Sequence, residues 1–83
     1  MADRARLTLY SREYCHLCSD MLAALAPLCA ELGIEVDVID VDADPELVRR
    51  FDETVPVLMH RGVELARGRL EASAVRAYLA KIG

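Results

Sequence analysis

Two cysteines, Cys15 and Cys18, stand where the chain changes its hydrophobic period from two to between three and four. Ahead of them Leu7 and Leu9 alternate with the β-prone Thr8 and Tyr10, which predicts a first strand over Arg6–Tyr10. After a polar loop, Ser11–Tyr14, the residues Cys18, Met21, Leu22, Leu25, Leu28, Cys29 and Leu32 recur at spacings of three and four. That stripe predicts an amphipathic helix stopped at Gly33. A strand handed straight to such a helix constrains the rest of the chain, because the stripe must be buried against the sheet to which the strand belongs.

Pro27 falls inside the helical pattern and removes one backbone donor, so a kink near Ala23–Ala26 is expected; the apolar stripe keeps its phase on both sides. Ile34–Val41 is rich in β-branched residues and reads as a second strand. Asp40, Asp42 and Asp44 supply turn and capping chemistry, with Asp44 as N-cap and Pro45 opening a short helix, Pro45–Phe51. Val55–His60 and Val63–Arg67 form a predicted hairpin about Arg61 and Gly62, and Gly68 breaks the chain. A last helix, from about Leu70 to Ile82, gathers Ala74, Val75, Tyr78, Leu79 and Ile82 on one side.

The order is βαβαββα. A strand, crossover helix and strand favour a right-handed parallel pair, and the hairpin adds antiparallel pairing. The expectation is an α/β protein with a mixed four-stranded sheet and three helices, in one domain spanning residues 1–83. An 83-residue chain has room for a single core. With no tryptophan and few aromatics, Leu, Val, Ile and Ala must build it.

The net charge is −4 and the basic residues are scattered, which speaks against nucleic acid as partner. Met1–Arg6 has no apolar signal stretch, and no run of about 18 apolar residues could span a membrane. A soluble, cytoplasmic monomer is expected. Three cysteines without a secretory signal argue against a structural disulfide framework.

At the junction, Cys15-His16-Leu17-Cys18 places Cys15 at or near a helix N-terminus. Unpaired backbone N–H groups there favour a thiolate, the species that attacks a disulfide, and thiols in such motifs reach pKa values of about 3.5 to 7.5. Cys18 belongs to the apolar stripe and Cys15 does not, which assigns Cys15 as nucleophile and Cys18 as resolving thiol. Protonated His16 and Arg12 would add to the thiolate fraction, and Asp20 opposes them. Two other readings of the spacing stay open: half of a metal site, although no second C-x-x-C supplies the remaining ligands, and two cysteines that merely pack.

Elsewhere, Thr54-Val55-Pro56 opens a strand with a proline that cannot donate to the ladder and can carry a cis bond. Cys29, about 16 Å along the helix from Cys18 at about 1.5 Å per residue, cannot bridge to the pair and reads as a buried filler. His60 reads as a solvated turn residue, Arg49 and Arg50 as an exposed helix face, and Tyr78 as core. Asp40, Asp42 and Asp44 alternate like a calcium loop, but Pro45 and Phe51 stand where that loop needs Gly and Glu.

Taken together, Tyr10-Ser11-Arg12-Glu13-Tyr14-Cys15-His16-Leu17-Cys18 and Thr54-Val55-Pro56 resemble the glutaredoxin pattern of the thioredoxin fold. The chain looks closest to small bacterial glutaredoxin-like proteins with a Cys-His-Leu-Cys motif. The resemblance implies a thiol–disulfide oxidoreductase acting on protein or glutathione-mixed disulfides, with glutathione as a candidate reductant and no bound cofactor or metal. It passes the lining of a glutathione groove to Arg12, Tyr14, Thr54, Val55 and Pro56, with Pro56 cis and near the sulfurs, and His16 and Gly68 are counted with them. Typical members carry Pro-Tyr where this chain has His16-Leu17, and a Gly-Gly turn with a following Asp where it has Gly68 and Glu71. An iron–sulfur or metal carrier and a non-catalytic interaction module are the rival functions.

Overall fold

The computed structural model describes residues 6–51 and 54–82, the last by its backbone alone. The element order is β1 (Arg6–Ser11), α1 (His16–Leu32), β2 (Glu35–Asp40), α2 (Pro45–Phe51), β3 (Val57–His60), β4 (Val63–Arg67) and α3 (Ala72–Ile82). A 3₁₀ turn, Val41–Ala43, intervenes between β2 and α2, where the sequence pattern predicts a strand end and a turn. Among the described residues this is the expected mixed four-stranded sheet with three α-helices, in strand order β2-β1-β3-β4. β1 runs parallel to β2 and antiparallel to β3, and β3 is antiparallel to β4. The architecture is the thioredoxin fold. No helix of the described residues is long and apolar enough to cross a membrane.

The alternation in β1 does what it predicted. Leu7 and Leu9 are fully buried and join Met21, Leu25 and Leu28 of α1, Leu58 of β3, Ala66 of β4 and Val75 and Leu79 of α3 in the main core. A second cluster, Val41, Phe51 and Val57 with Tyr10, Leu47, Val55 and Met59 packed on it, forms between the sheet and α2. Within it the rings of Tyr10 and Phe51 stack at 4.5 Å. Burial of a Leu or Phe side chain contributes about 1.5–3 kcal/mol, so the two clusters carry most of the stability of a chain this short.

α1 continues through Pro27, whose ring is exposed, while Met21, Leu25 and Leu28 stay buried on both sides of it. Of the predicted stripe, Leu22 and Leu32 are partly exposed at its margins. The helix ends as expected: Gly33 takes φ 67°, and the Ile34 amide donates to the Cys29 carbonyl at 3.1 Å. The Asp-rich connection supplies the expected capping. Asp40 accepts from the Asp42 amide and Asp44 from the Glu46 amide, at 3.0 and 2.9 Å.

Three expectations are corrected. β3 begins at Val57, so Val55 and Pro56 precede the strand. On α3, Ala74 is exposed, and the Ile82 side chain lies outside the described residues. His60 is buried at 7% exposure instead of solvated: it is the last β3 residue, facing α3, where its Nδ1 and the Tyr78 hydroxyl are hydrogen-bonded at 2.8 Å. The turn itself is only Arg61-Gly62, both with positive φ, as a two-residue hairpin with the twist of the strands requires.

Candidate active site

The sheet register gathers the candidate residues at one end. Tyr10 of β1 lies opposite Val57 of β3, which lies opposite Arg67 of β4, so the loop leaving β1, the segment entering β3 and the turn leaving β4 emerge together. β2 runs parallel to β1 and delivers the Asp40–Asp44 connection to the same end.

Cys15 is the N-cap of α1. Its backbone is extended, and its Sγ accepts from the Cys18 amide at 3.1 Å. The sulfur therefore occupies the place a serine or aspartate oxygen takes at other helix starts, next to N–H groups that have no partner within the helix. Cys18, one helical turn on, is 5% exposed and part of the inward stripe, whereas Cys15 is half-buried. The two sulfurs lie at disulfide distance, with Cα atoms 5.2 Å apart. Cys29 is the free cysteine among the described residues; it is half-buried against the core, and burial pushes its thiol pKa up.

The flanking residues take distinct positions. Arg12 forms a two-pronged ion pair with Asp42, its Nε lying 3.0 and 3.1 Å from the two carboxylate oxygens. Tyr14, at φ 59°, holds its ring almost wholly in solvent at 99% exposure. His16 is the first residue of α1 and exposed, as is Leu17. Val55 is half-buried on the second cluster, and Pro56 is buried and follows a cis peptide bond. Among the described residues Thr54 Oγ1 is buried with no hydrogen-bond partner, an uncommon state for a hydroxyl.

Gly68 is joined to this end directly, since its amide donates to the Pro56 carbonyl at 2.8 Å. With Arg69 and Leu70 it also lines a shallow cavity of about 230 Å³ against Leu17, Asp20, Met21 and Ala24 of α1. Asp42 is the residue that sequence reasoning places only in a turn. Nothing in the pattern links residues thirty positions apart, so its pairing with Arg12 has no local signal.

A thioredoxin fold with a cysteine pair at disulfide distance at the start of its first helix defines a class of protein whose architecture is consistent with redox function. The family model described as "Glutaredoxin-like domain (DUF836)" matches residues 6–80, and the chain belongs to that family. It is 34% identical to protein Ne2328 from Nitrosomonas europaea, solved in solution by NMR, with a TM-score of 0.84 and 95% of each chain covered. The uncharacterized protein Rv0508 of Mycobacterium tuberculosis is 30% identical over 84 residues, covering 95% of this chain and 87% of that protein. Thioredoxin 1 from Thermosipho africanus, at 20% identity, 93% and 97% coverage and a TM-score of 0.63, shares the fold.

Proposed function

We propose that the protein is a thiol–disulfide oxidoreductase in which Cys15 attacks and Cys18 resolves. The observation that carries this reading is the asymmetry of the pair: Cys15 caps the helix and accepts an N–H on its sulfur, while Cys18 is withdrawn into the core stripe. The Cys15 thiolate attacks one sulfur of a substrate disulfide; that S–S bond breaks, a mixed disulfide forms, and the departing thiolate takes a proton from solvent. Deprotonated Cys18 then attacks the Cys15 sulfur and releases the second substrate thiol. The substrate gains two electrons and the pair is left oxidised, to be reduced again by an external thiol, for which glutathione is the candidate.

The substrates proposed are protein disulfides or glutathione-mixed disulfides, met by a monomer in a reducing compartment such as the cytoplasm. Thr54, Val55, Pro56 and Gly68 would lie beside the attacked disulfide, with Tyr14 and His16 on the solvent side of Cys15. The metal-carrier alternative would take further ligands from outside this set, because no three His, Cys, Asp or Glu side chains are gathered to hold an ion among the described residues.

The test is a redox titration in glutathione buffers, read by mass after alkylation. A reversible two-electron transition of the Cys15/Cys18 pair is expected, with Cys15→Ser inactive and Cys18→Ser accumulating a mixed disulfide. A pair that never oxidises reversibly would remove the proposal.

A further inference from the structure

The turn after β4 closes a cavity against α1. Gly68, at φ 74°, is the centre of a three-residue turn in which the Arg69 amide donates to the Arg67 carbonyl at 2.8 Å. The Gly68 amide is itself bound to the Pro56 carbonyl, so the turn is fixed at two points, and Arg69 and Leu70 line about 230 Å³ of space with Leu17, Asp20, Met21 and Ala24 of α1. Leu17 stands between the two cysteines in the chain and is 55% exposed, so an occupant of the cavity borders the cysteine pair.

The lining is mixed. Leu17, Met21, Ala24 and Leu70 are apolar, while Asp20 on α1 and Arg69 on the turn carry opposite charges. Among the described residues no ion pair joins these two, and no hydrogen bond occupies either side chain. A peptide unit supplies what both lack: its N–H donates to a carboxylate and its C=O accepts from a guanidinium. A large apolar side chain on the same segment covers the four apolar walls. Glutathione has peptide units but no apolar side chain to fill the space, so the occupant that satisfies both parts of the lining is a segment of polypeptide.

We propose that this cavity receives the polypeptide flanking the attacked cysteine of a protein disulfide, with a large apolar side chain on Leu17, Met21, Ala24 and Leu70 and the main chain between Asp20 and Arg69. Of the two substrate classes proposed above, this selects protein disulfides, and it rests on Cys15 being the attacking thiol. Leu17 is two residues from Cys15, which puts the inserted side chain within three residues of the attacked cysteine, an extended reach of about 10 Å. The cavity is open on one side, so a Leu side chain is only partly buried there, and a Leu peptide should be favoured over its Ser counterpart by about three- to tenfold.

The test uses the full chain with Cys18→Ser and Cys29→Ala, so that only Cys15 carries an adduct and the mixed disulfide persists. Symmetric disulfides of seven-residue peptides, with a central cysteine, Ser elsewhere and Leu placed in turn at each other position, compete with hydroxyethyl disulfide and glutathione disulfide, and adducts at equilibrium are read by intact mass. One or two Leu positions should raise the peptide adduct about three- to tenfold over the all-Ser peptide, and Ala24→Phe, which fills the cavity from α1, should return that ratio to about one. A scan with no favoured position would overturn the proposal, as would a preference that survives Ala24→Phe or a glutathione adduct favoured over every Leu peptide. A dimer at the assay concentration that Ala24→Phe abolishes would make a second copy the occupant and overturn it too. Failure of every probe, hydroxyethyl disulfide included, would overturn the attacking role of Cys15 and this proposal with it, whereas a hydroxyethyl adduct with no Leu preference removes only the role of the cavity.

Discussion

The Gly68 amide donates to the Pro56 carbonyl at 2.8 Å, tying the turn after β4 to the residue that leads into β3. Gly68 makes this bond at φ +74°, and a Cβ added there would meet nothing within 4 Å. The cost of a side chain is therefore conformational and not steric. Gly68→Ala should lower stability by about 1–2 kcal/mol in urea denaturation, and Gly68→Asn by less, since Asn tolerates the left-handed region better. Equal stability of all three proteins would show that the turn adopts another conformation in solution.

In the reduced protein the two kinds of cysteine should separate by pH. Burial raises the Cys29 pKa, so at any given pH less of it is thiolate. Cys15, with the Cys18 amide on its sulfur and a helix start behind it, is placed where negative charge is favoured. As pH falls from alkaline to neutral, alkylation by iodoacetamide should fade first at Cys29 and persist at Cys15. Peptide mapping of timed reactions reads both sites, and faster labelling of Cys29 at neutral pH would refute the assignment.

The parts of this fold that can be read from sequence are those set by local periodicity. The alternation of Leu7 and Leu9, the Met21–Leu25–Leu28 stripe, the Asp44–Pro45 helix start and the Gly33 stop all report on neighbours a few residues away. Cys15 and Cys18 are legible for the same reason, since their spacing and their place at a change of period lie within one helical turn. The Arg12–Asp42 pair and the His60–Tyr78 bond are not, because each joins distant segments: Arg12, Asp42 and His60 read locally as loop or turn residues, and Tyr78 as a helix residue packed in the core. The register slip between Leu58 and Met59 is equally silent in the sequence: Leu58 pairs with Ala66 and Met59 with Glu64, which leaves Leu65 over.

The buried His60–Tyr78 bond makes a stability prediction. Tyr78→Phe leaves a buried ring nitrogen without its partner, at a cost of about 1–3 kcal/mol. Replacing both groups, His60→Leu with Tyr78→Phe, removes the unsatisfied nitrogen and should cost less than the two single losses added together. A double-mutant cycle by chemical denaturation measures this, and strict additivity would mean that the bond contributes nothing.

The last prediction concerns α1 and α3, bridged on the surface by Glu31 and Arg76. Arg76 grips both carboxylate oxygens of Glu31, with Nη2 lying 2.8 Å from Oε1. That hydrogen bonding holds the Glu31 pKa below its ordinary value of 4.5. Since the folded state lowers this pKa, the contribution is fully present above the ordinary glutamate range and is lost as pH falls through the folded value; Arg76 stays charged throughout. Glu31→Gln should therefore be slightly less stable than the parent at pH 7, by an amount reduced in high salt because the pair is exposed. As pH falls from the ordinary glutamate range through the lower folded pKa of Glu31 the two proteins should converge, since the parent then carries a neutral carboxyl where the variant carries an amide. Thermal melts across that range make the comparison, and a difference that grows toward acid would show that the stability lost by the variant comes from packing and not from the charge of Glu31.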